Sequence, residues 1–380
     1  MRAYKFRIYP SKKQEKEMQR HLWISKELWN KLLEKTKKKY EKEKKFFTKS
    51  ELQVMVKENG LYSQTAQGIA HRLHGALKAK VKAKKQGRKW GFPRFKSFDR
   101  MKSLHYPQFG FSLDKKLKVT PFGEIAIKKH REVKGSIKTL TLKREPTGKW
   151  FAVFCVEEEK KQPKANNGEA VGLDLGLINL VTLSNGKIIK HPHQFRKFEE
   201  KLAFVQRKFS KKKKGSKNRK RAKHKVSLIH EQIANTRTDY LHKRANELLS
   251  RYSLIALEDL DIPNMAEQGH GKNIYDASWG MFMNILCYKA EETGCRVVFV
   301  DPKDTSKLCN NCGTKTEKDL WERVHKCPAC GLEMDRDLNS AVNILIKATV
   351  GQTGSNACNS LQKERDVAIA TSVKQEAHIL

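Results

Sequence analysis

Three acidic residues, far apart in the chain, stand where an apolar strand ends or a helix begins. Asp174 lies in Ala170-Val-Gly-Leu-Asp-Leu-Gly176, Glu258 closes Leu254-Ile-Ala-Leu-Glu258, and Asp337 lies in Asp335-Arg-Asp-Leu-Asn-Ser-Ala-Val-Asn343. A strand that is apolar up to one carboxylate holds that carboxylate at the edge of a cleft. Taken singly, each acid is equally explained by a helix cap, a turn, or a partner for nearby Arg and Lys. Taken together, an Asp, a Glu and an Asp on neighbouring strands and a helix start are suited to hold two divalent ions about 4 Å apart. Such ions activate a water and stabilise the leaving oxygen of a phosphodiester. Hard carboxylate ligands suit magnesium, with manganese as a substitute. Asp259, Asp261, Asp301 and Asp335 compete as neighbours, Asp335 most closely. Asp337 is preferred because Asn339 and the small residues after it open a helix, which puts its carboxylate at the positive end.

The charge balance fits that chemistry. Among 380 residues there are 79 Lys plus Arg against 41 Asp plus Glu, a net charge of +38. Such an excess suits a polyanion binder, because basic residues release condensed counterions from nucleic acid and so convert into affinity. No apolar run approaches the length of a spanning helix. Met1-Arg-Ala-Tyr-Lys-Phe6 carries no signal-peptide core, so a cytoplasmic, nucleoid-associated protein without a membrane partner is expected. Reducing surroundings make the eight cysteines thiols or ligands. Cys309-Asn-Asn-Cys312 and Cys327-Pro-Ala-Cys330 are matched C-x-x-C pairs, each followed by a glycine, Gly313 and Gly331. That spacing predicts a closed, structural zinc site of four thiolates with no open position for catalysis.

The elements that must position these groups are legible in outline. Residues 3–9 alternate apolar and basic as a half-buried strand, Pro10 ends it, and Ser11-Lys-Lys-Gln14 is a capping-box start. Helical spacing follows through Met18, Leu22, Trp29 and Leu33, then Ile69, Leu73 and Leu77. In Arg88-Lys-Trp-Gly-Phe-Pro-Arg-Phe-Lys96, rings alternate with cations around Gly91 and Pro93. Arg88, Lys89, Trp90, Arg94, Phe95 and Lys96 are therefore candidates for phosphate contact and stacking, and the rings are equally suited to filling the core beneath. Short strands between 104 and 156 predict a small β-barrel, completed by the first strand. Residues 160–167 read as a linker, and Asn185-Gly186 as a hairpin turn. Two helices are predicted around Phe198–Phe209 and Val226–Tyr240. Between them Arg207–Lys225 holds twelve Lys or Arg and no acid. Lys211, Lys212, Lys213, Lys214, Arg219 and Arg221 at this tip are candidate nucleic-acid contacts. The last thirty residues lack a pattern and predict poor order.

The ordered set of motifs resembles the TnpB (OrfB) family, transposon-encoded RNA-guided nucleases related to type V CRISPR effectors. It runs from Ala3-Tyr-Lys-Phe-Arg-Ile-Tyr-Pro10 through Gly91-Phe-Pro-Arg-Phe-Lys96, Gly148-Lys-Trp150 and Gly172-Leu-Asp-Leu-Gly176. It continues with Leu257-Glu-Asp-Leu260, Ser278-Trp279, Tyr288-Lys-Ala290, Thr305-Ser306, both cysteine pairs and Asp335-Arg-Asp-Leu-Asn339. Lys307 and Ser340 depart from the commoner Gln and Ala. The resemblance implies a multidomain α+β and α/β protein. A β-barrel wedge domain (1–10 and 104–160) would be interrupted by a helical recognition insert (11–103). An RNase H-like RuvC nuclease domain (168–304 and 332–347, basic tip 207–225) would carry an inserted zinc ribbon (305–331), with a tail at 348–380. It implies that Asp174, Glu258 and Asp337 are the catalytic, magnesium-binding acids. It also implies that a transposon-derived guide RNA directs cutting of double-stranded DNA beside a short motif. A monomer is expected. Two other readings use the same features: a DNA-binding regulator that does not cleave, and a strand-transfer transposase. Magnesium-dependent cleavage separates the first, and an RNA requirement with no joined ends separates the second.

Overall fold

The computed structural model describes residues 1–350 except 58, 89, 160–162, 164, 165, 192, 193, 266, 268–276 and 320. The poorly ordered tail expected at 348–380 therefore lies outside the description from 351 onward. The chain divides into two compact units, residues 1–160 and 161–380.

The first unit starts with β1 (Arg2–Tyr9), whose Tyr4, Phe6 and Ile8 point inward. Pro10 cannot continue the ladder. Ser11 then accepts from Gln14 N and Gln14 Oε1 accepts from Ser11 N, the reciprocal cap that starts α1 (Lys12–Glu43). Met18, Leu22, Leu32 and Leu33 bury one stripe of α1. Two further helices, α2 (Lys49–Val54) and α3 (Ser63–Lys85), follow, with Ile69, Leu73 and Leu77 buried as their spacing predicts. Six strands complete the unit: β2 (Ser103–Tyr106), β3 (Phe111–Leu113), β4 (Leu117–Val119), β5 (Gly123–Lys128), β6 (Ser136–Arg144) and β7 (Trp150–Glu157). Their order is β2-β6-β7-β1-β5-β4-β3, with β1 at the centre bridging β7 and β5. Fully buried Phe6, Trp150 and Phe154 anchor its core, each burial contributing about 1.5–3 kcal/mol.

The second unit begins with an antiparallel meander, β8 (Glu169–Leu175), β9 (Asn179–Leu183) and β10 (Ile188–Lys190). Gly186, at φ 82°, occupies the turn after Asn185. A helical hairpin, α4 (Gln194–Ser210) and α5 (Lys217–Arg251), leads into β11 (Tyr252–Glu258), which runs parallel to β8. After the short α6 (Ile262–Met265), α7 (Trp279–Thr293) returns the chain to β12 (Arg296–Val300), parallel to β11. The order is β10-β9-β8-β11-β12. A ribbon, β13 (Val324–Lys326) with β14 (Glu333–Asp335), then feeds α8 (Arg336–Val350).

Helices cover both faces of this sheet, which is why β11 and β12 read as nearly continuous apolar runs. On one face Leu173, Ile255 and Leu257 pack with Leu241 and Leu248 of α5 and with Phe282 and Leu286 of α7. On the other, Ala256, Val298 and Val300 pack with Ile344 and Ala348 of α8. The α4–α5 hairpin has its own small core, Leu202, Val226, Ile229 and Ile233.

Gly172 sets the spacing of α8 on the sheet. A Cβ there would stand 2.0 Å from Ala341 O and 2.9 Å from Leu345 N, both backbone atoms that cannot swing aside. Gly172→Ala is therefore expected to destabilise the protein by about 1–3 kcal/mol, the usual range for overpacking. A denaturant midpoint equal to that of the parent would show that α8 does not sit this close.

Candidate active site and zinc cluster

The strands place the first two acids side by side. Leu257 of β11 pairs in register with Leu173 of β8, so the next residues, Glu258 and Asp174, project together from the opposite face. Gly172 lies on that same face and touches α8, which is therefore the face the helix covers. Asp337 belongs to the first turn of α8. Asp335, its closest competitor, caps the helix: its Oδ1 accepts from Asp337 N at 2.9 Å and Leu338 N at 3.0 Å, and its charge also raises Asp174 and Asp337.

The three carboxylates are electrostatically strained. Burial pushes Asp174 well above the usual carboxylate range, and Glu258 and then Asp337 push it further, with Arg336 opposing. Burial likewise raises Glu258, against a hydrogen bond from Thr305 and the charge of Lys347. Asp337 is raised by burial, against Arg323, whose Nη1 lies 3.4 Å from Asp337 Oδ1. Three acids raised by burial, with Glu258 and Asp337 further disfavouring the charge of Asp174, fit hard divalent cations, which would offset that cost. Asp174, Glu258 and Asp337 would hold them; their oxygens are not drawn as tightly as the thiols below.

The four cysteines meet the geometric test for zinc directly. The Sγ atoms of Cys309, Cys312, Cys327 and Cys330 lie within 4.8 Å of one another, the only such group among the described residues. Cys309 Sγ is 3.6 Å from Cys330 Sγ, and Cys312 Sγ 3.5 Å from Cys327 Sγ. A tetrahedral ion with bonds of about 2.3 Å needs sulfur separations of about 3.8 Å. Gly313 and Gly331, at φ 74° and 70°, close the two knuckles, with Gly313 N bonded to Cys309 O and Gly331 N to Cys327 O. Hydrogen bonding to Thr314 draws the Cys312 thiol down to about 6, while its neighbour Cys327 is raised to about 11.

The candidate nucleic-acid residues divide by environment. Arg88, Trp90, Arg94 and Phe95 are exposed, while Lys89 lies outside the described residues. The neighbouring Phe92 turns inward against Tyr40 and Phe46, so the segment both fills the core and presents rings to solvent. Its backbone is tied down: Trp29 Nε1 donates to Arg94 O, and Asn30 bonds both N and O of Lys96. The Lys96 ammonium lies over the Trp29 ring, 3.8 Å from its centroid. At the tip, Lys211–Lys214 and Arg221 are exposed. Arg219 instead stacks on Phe209 and donates to Phe209 O at 3.2 Å and Lys212 O at 2.7 Å, closing the turn from inside.

Two contacts at the acids carry no signal of their own in the sequence. Arg323 reaches Asp337 because the β13–β14 ribbon sets the end of one strand beside the start of α8, with Arg336 N bonded to Arg323 O at 2.8 Å. Thr305 donates to Glu258 Oε1 from a loop far away in sequence.

Comparison with known proteins supplies an independent view. Three family models match: OrfB of IS605, "Probable transposase", over residues 153–268; "Cas12f1-like, TNB domain", over 279–344; and "Helix-turn-helix domain", over 1–45. Residues 1–45 here hold β1 and one unbroken helix, so the third description does not match the local structure. InsQ of Escherichia coli (strain K12), provisionally named an RNA-guided DNA endonuclease, is 30% identical over 370 residues, covering 91% of this chain and 92% of InsQ. A protein of Streptomyces pristinaespiralis with the same provisional description is 37% identical over 244 residues, 63% of this chain and 59% of that one. Among solved structures, the cryo-EM structure of a Cas12f1–sgRNA–target DNA complex shares the fold. Its TM-score is 0.58 at 14% identity, covering 88% of this chain and 83% of that chain. No helix among the described residues is long and apolar enough to cross a membrane.

The raised carboxyls give a signed prediction. A carboxyl whose folded pKa exceeds its unfolded value stabilises the fold below the unfolded pKa, and that contribution is lost as pH rises through the folded pKa. Without divalent ions at neutral pH, Asp174→Asn should therefore melt at a higher temperature than the parent. Magnesium should raise the melting temperature of the parent more than that of the variant, and the parent's rise should shrink as pH falls toward about 4. Calorimetry across pH checks this; identical magnesium responses in the two proteins would count against an ion site at Asp174.

Proposed function

The chain belongs to the OrfB/TnpB family, and from that premise we propose that it is an RNA-guided endonuclease that cuts double-stranded DNA by means of Asp174, Glu258 and Asp337. The observation that carries this reading is the buried Asp174 of β8, whose carboxyl is pushed up by burial and then by Glu258 of β11 and Asp337 in the first turn of α8. The order β10-β9-β8-β11-β12, three antiparallel strands followed by two parallel ones, supports an RNase H-like RuvC domain. The relatives named as RNA-guided endonucleases supply the substrate class and the guide.

When bound, magnesium would supply an activated water and neutralise charge on the leaving oxygen. The protein's own share is positional. Strands β8 and β11 fix the Asp174 and Glu258 backbones in one sheet, and Asp335 caps α8, whose first turn carries Asp337. The four-cysteine ribbon is a closed zinc site, with Cys309, Cys312, Cys327 and Cys330 leaving no ligand position for substrate. The β1–β7 sheet serves as the wedge domain and its α1–α3 insert as the recognition domain. A guide RNA and its DNA target account for the basic excess, since such proteins hold a heteroduplex by backbone and shape while base pairing reads sequence. Exposed Arg88, Trp90, Arg94, Phe95, Lys211–Lys214 and Arg221 are the contacts, leaving Lys96 and Arg219 as internal ties.

Two experiments test this. Asp174→Ala, purified with its guide RNA, should bind matching DNA as the parent does while losing cleavage by at least about a thousandfold, in keeping with the several kcal/mol that bound ions supply. Retained cutting would refute the assignment, and joined rather than free ends in the parent's products would replace it with strand transfer. Changing Lys211–Lys214 together to Ala should flatten the dependence of log affinity on log salt by about 0.9 for each duplex phosphate that is no longer neutralised. Arg219→Ala should leave that slope alone and loosen the tip, which hydrogen exchange at 209–216 would register. An unchanged slope in the lysine variant would remove the tip from the interface.

A further inference from the structure

One face of α8 grips a loop that the proposed chemistry does not by itself require. Asn339, Asn343 and Lys347 are spaced four residues apart, so they form a row along the helix. Each ends on the backbone of the segment that leads from β12 into the first zinc knuckle. Lys347 Nζ donates to Asp301 O at 3.2 Å and Lys303 O at 2.5 Å. Asn343 Nδ2 donates to Thr305 O at 2.9 Å and Leu308 O at 2.7 Å. Asn339 Nδ2 donates to Leu308 O at 2.8 Å, and its Oδ1 accepts from Asn310 N at 3.0 Å. Asn339 and Asn343 are buried, where an amide must find partners, so these bonds define where the loop can lie.

The loop so held is bent to one purpose. Asp304 adopts φ 62°, rare outside glycine, with its carboxylate paired to Lys315 at 3.1 Å. The next residue, Thr305, is buried, and its hydroxyl reaches Glu258 Oε1. Pro302 O, at 3.0 Å, is the competing acceptor for the single hydroxyl proton. An ionised carboxylate is the stronger acceptor, so the proton goes to Glu258 whenever that group is charged.

We propose that Thr305 is a positioning residue for Glu258, held in place by the Asn339–Asn343–Lys347 row, so that zinc knuckle and acidic centre form one coupled unit on α8. The same helix carries Asp337 in its first turn and the row behind it, and the row anchors residues flanking Cys309. Thr305 fixes one oxygen of Glu258, the acid whose charge raises Asp174. This rests on the reading of Glu258 as a divalent-ion ligand. Groups that orient a metal-binding carboxylate typically govern metal affinity by about ten- to a hundredfold.

The test measures manganese binding by electron paramagnetic resonance of the full chain with its RNA, beside zinc content and melting temperature. Thr305→Val should weaken manganese binding about ten- to a hundredfold, with zinc content unchanged, while Thr305→Ser binds as the parent does. Asn343→Leu should shift manganese affinity in the same direction as Thr305→Val. Parent-like binding by Thr305→Val overturns the proposal, and so does equal weakening in Thr305→Ser, which would mean that the methyl group packs rather than the hydroxyl positions. Should Thr305→Val melt early, Thr305→Ala against Thr305→Ser isolates the hydroxyl in the same way. Unchanged affinity in Asn343→Leu overturns the coupling through α8. Glu258→Gln is the separate control: if it binds manganese like the parent, the underlying assignment of Glu258 fails, whatever Thr305 does.

Discussion

The approach of the α8 backbone to β8 at Gly172 governs the acidic centre. Helix and strand come close enough that a single methyl group would meet Ala341 O at 2.0 Å. Ala341 and Leu345 of the helix make the other half of that contact. With the helix so placed, its first turn falls beside the ends of two parallel strands, and Asp337 joins Asp174 and Glu258. Were α8 to stand off by the width of a side chain, Asp174 would no longer feel the charge that Asp337 adds and the carboxylates would no longer form one centre. All three acids are shifted upward, each chiefly by burial, and at Asp174 the charges of Glu258 and Asp337 add to it.

The rest of the second unit secures that arrangement from several sides. Trp279 Nε1, at the start of α7, donates to Gly176 O just beyond Asp174, fixing the loop at the end of β8. Asp335 caps α8, and the four cysteines gather at the ribbon that leads into it. The basic surface, by contrast, is built on exposed residues with little structural duty, such as Lys211–Lys214. Where a cation does have a structural duty, as with Arg219 closing the helical tip, it is drawn away from solvent. Composition alone cannot distinguish the two kinds of basic residue.

Much of this was readable from residue order, for physical reasons. The strands carrying Asp174 and Glu258 are apolar up to the acid because both sheet faces are covered. The capping box at Ser11 and Gln14 is a local code, and the cysteine pairs fix their own geometry by spacing. What failed to show is equally instructive. Helix α7 buries Phe282, Met283, Ile285, Leu286 and Cys287 on more than one side, so its helical period is blurred. Strands β2, β3 and β4 are three or four residues long, too short for alternation to stand out. That Asp335 caps the helix is a fact of hydrogen bonding that its spacing from Asp337 does not reveal. Thr305 and Arg323 reach the acids only through long-range register, which no local pattern encodes.

The most direct test of the account is to change what the bound RNA can pair with. The protein would be assembled with an RNA whose guide segment has been rewritten. It would then be offered, with magnesium, two DNA duplexes that share flanking sequence, one matching the old guide and one the new. Cutting should move entirely to the new match, on both strands, and vanish without RNA. Cutting that ignores the rewritten guide, or persists without RNA, would contradict guided cleavage and leave a basic nuclease that finds DNA by charge alone.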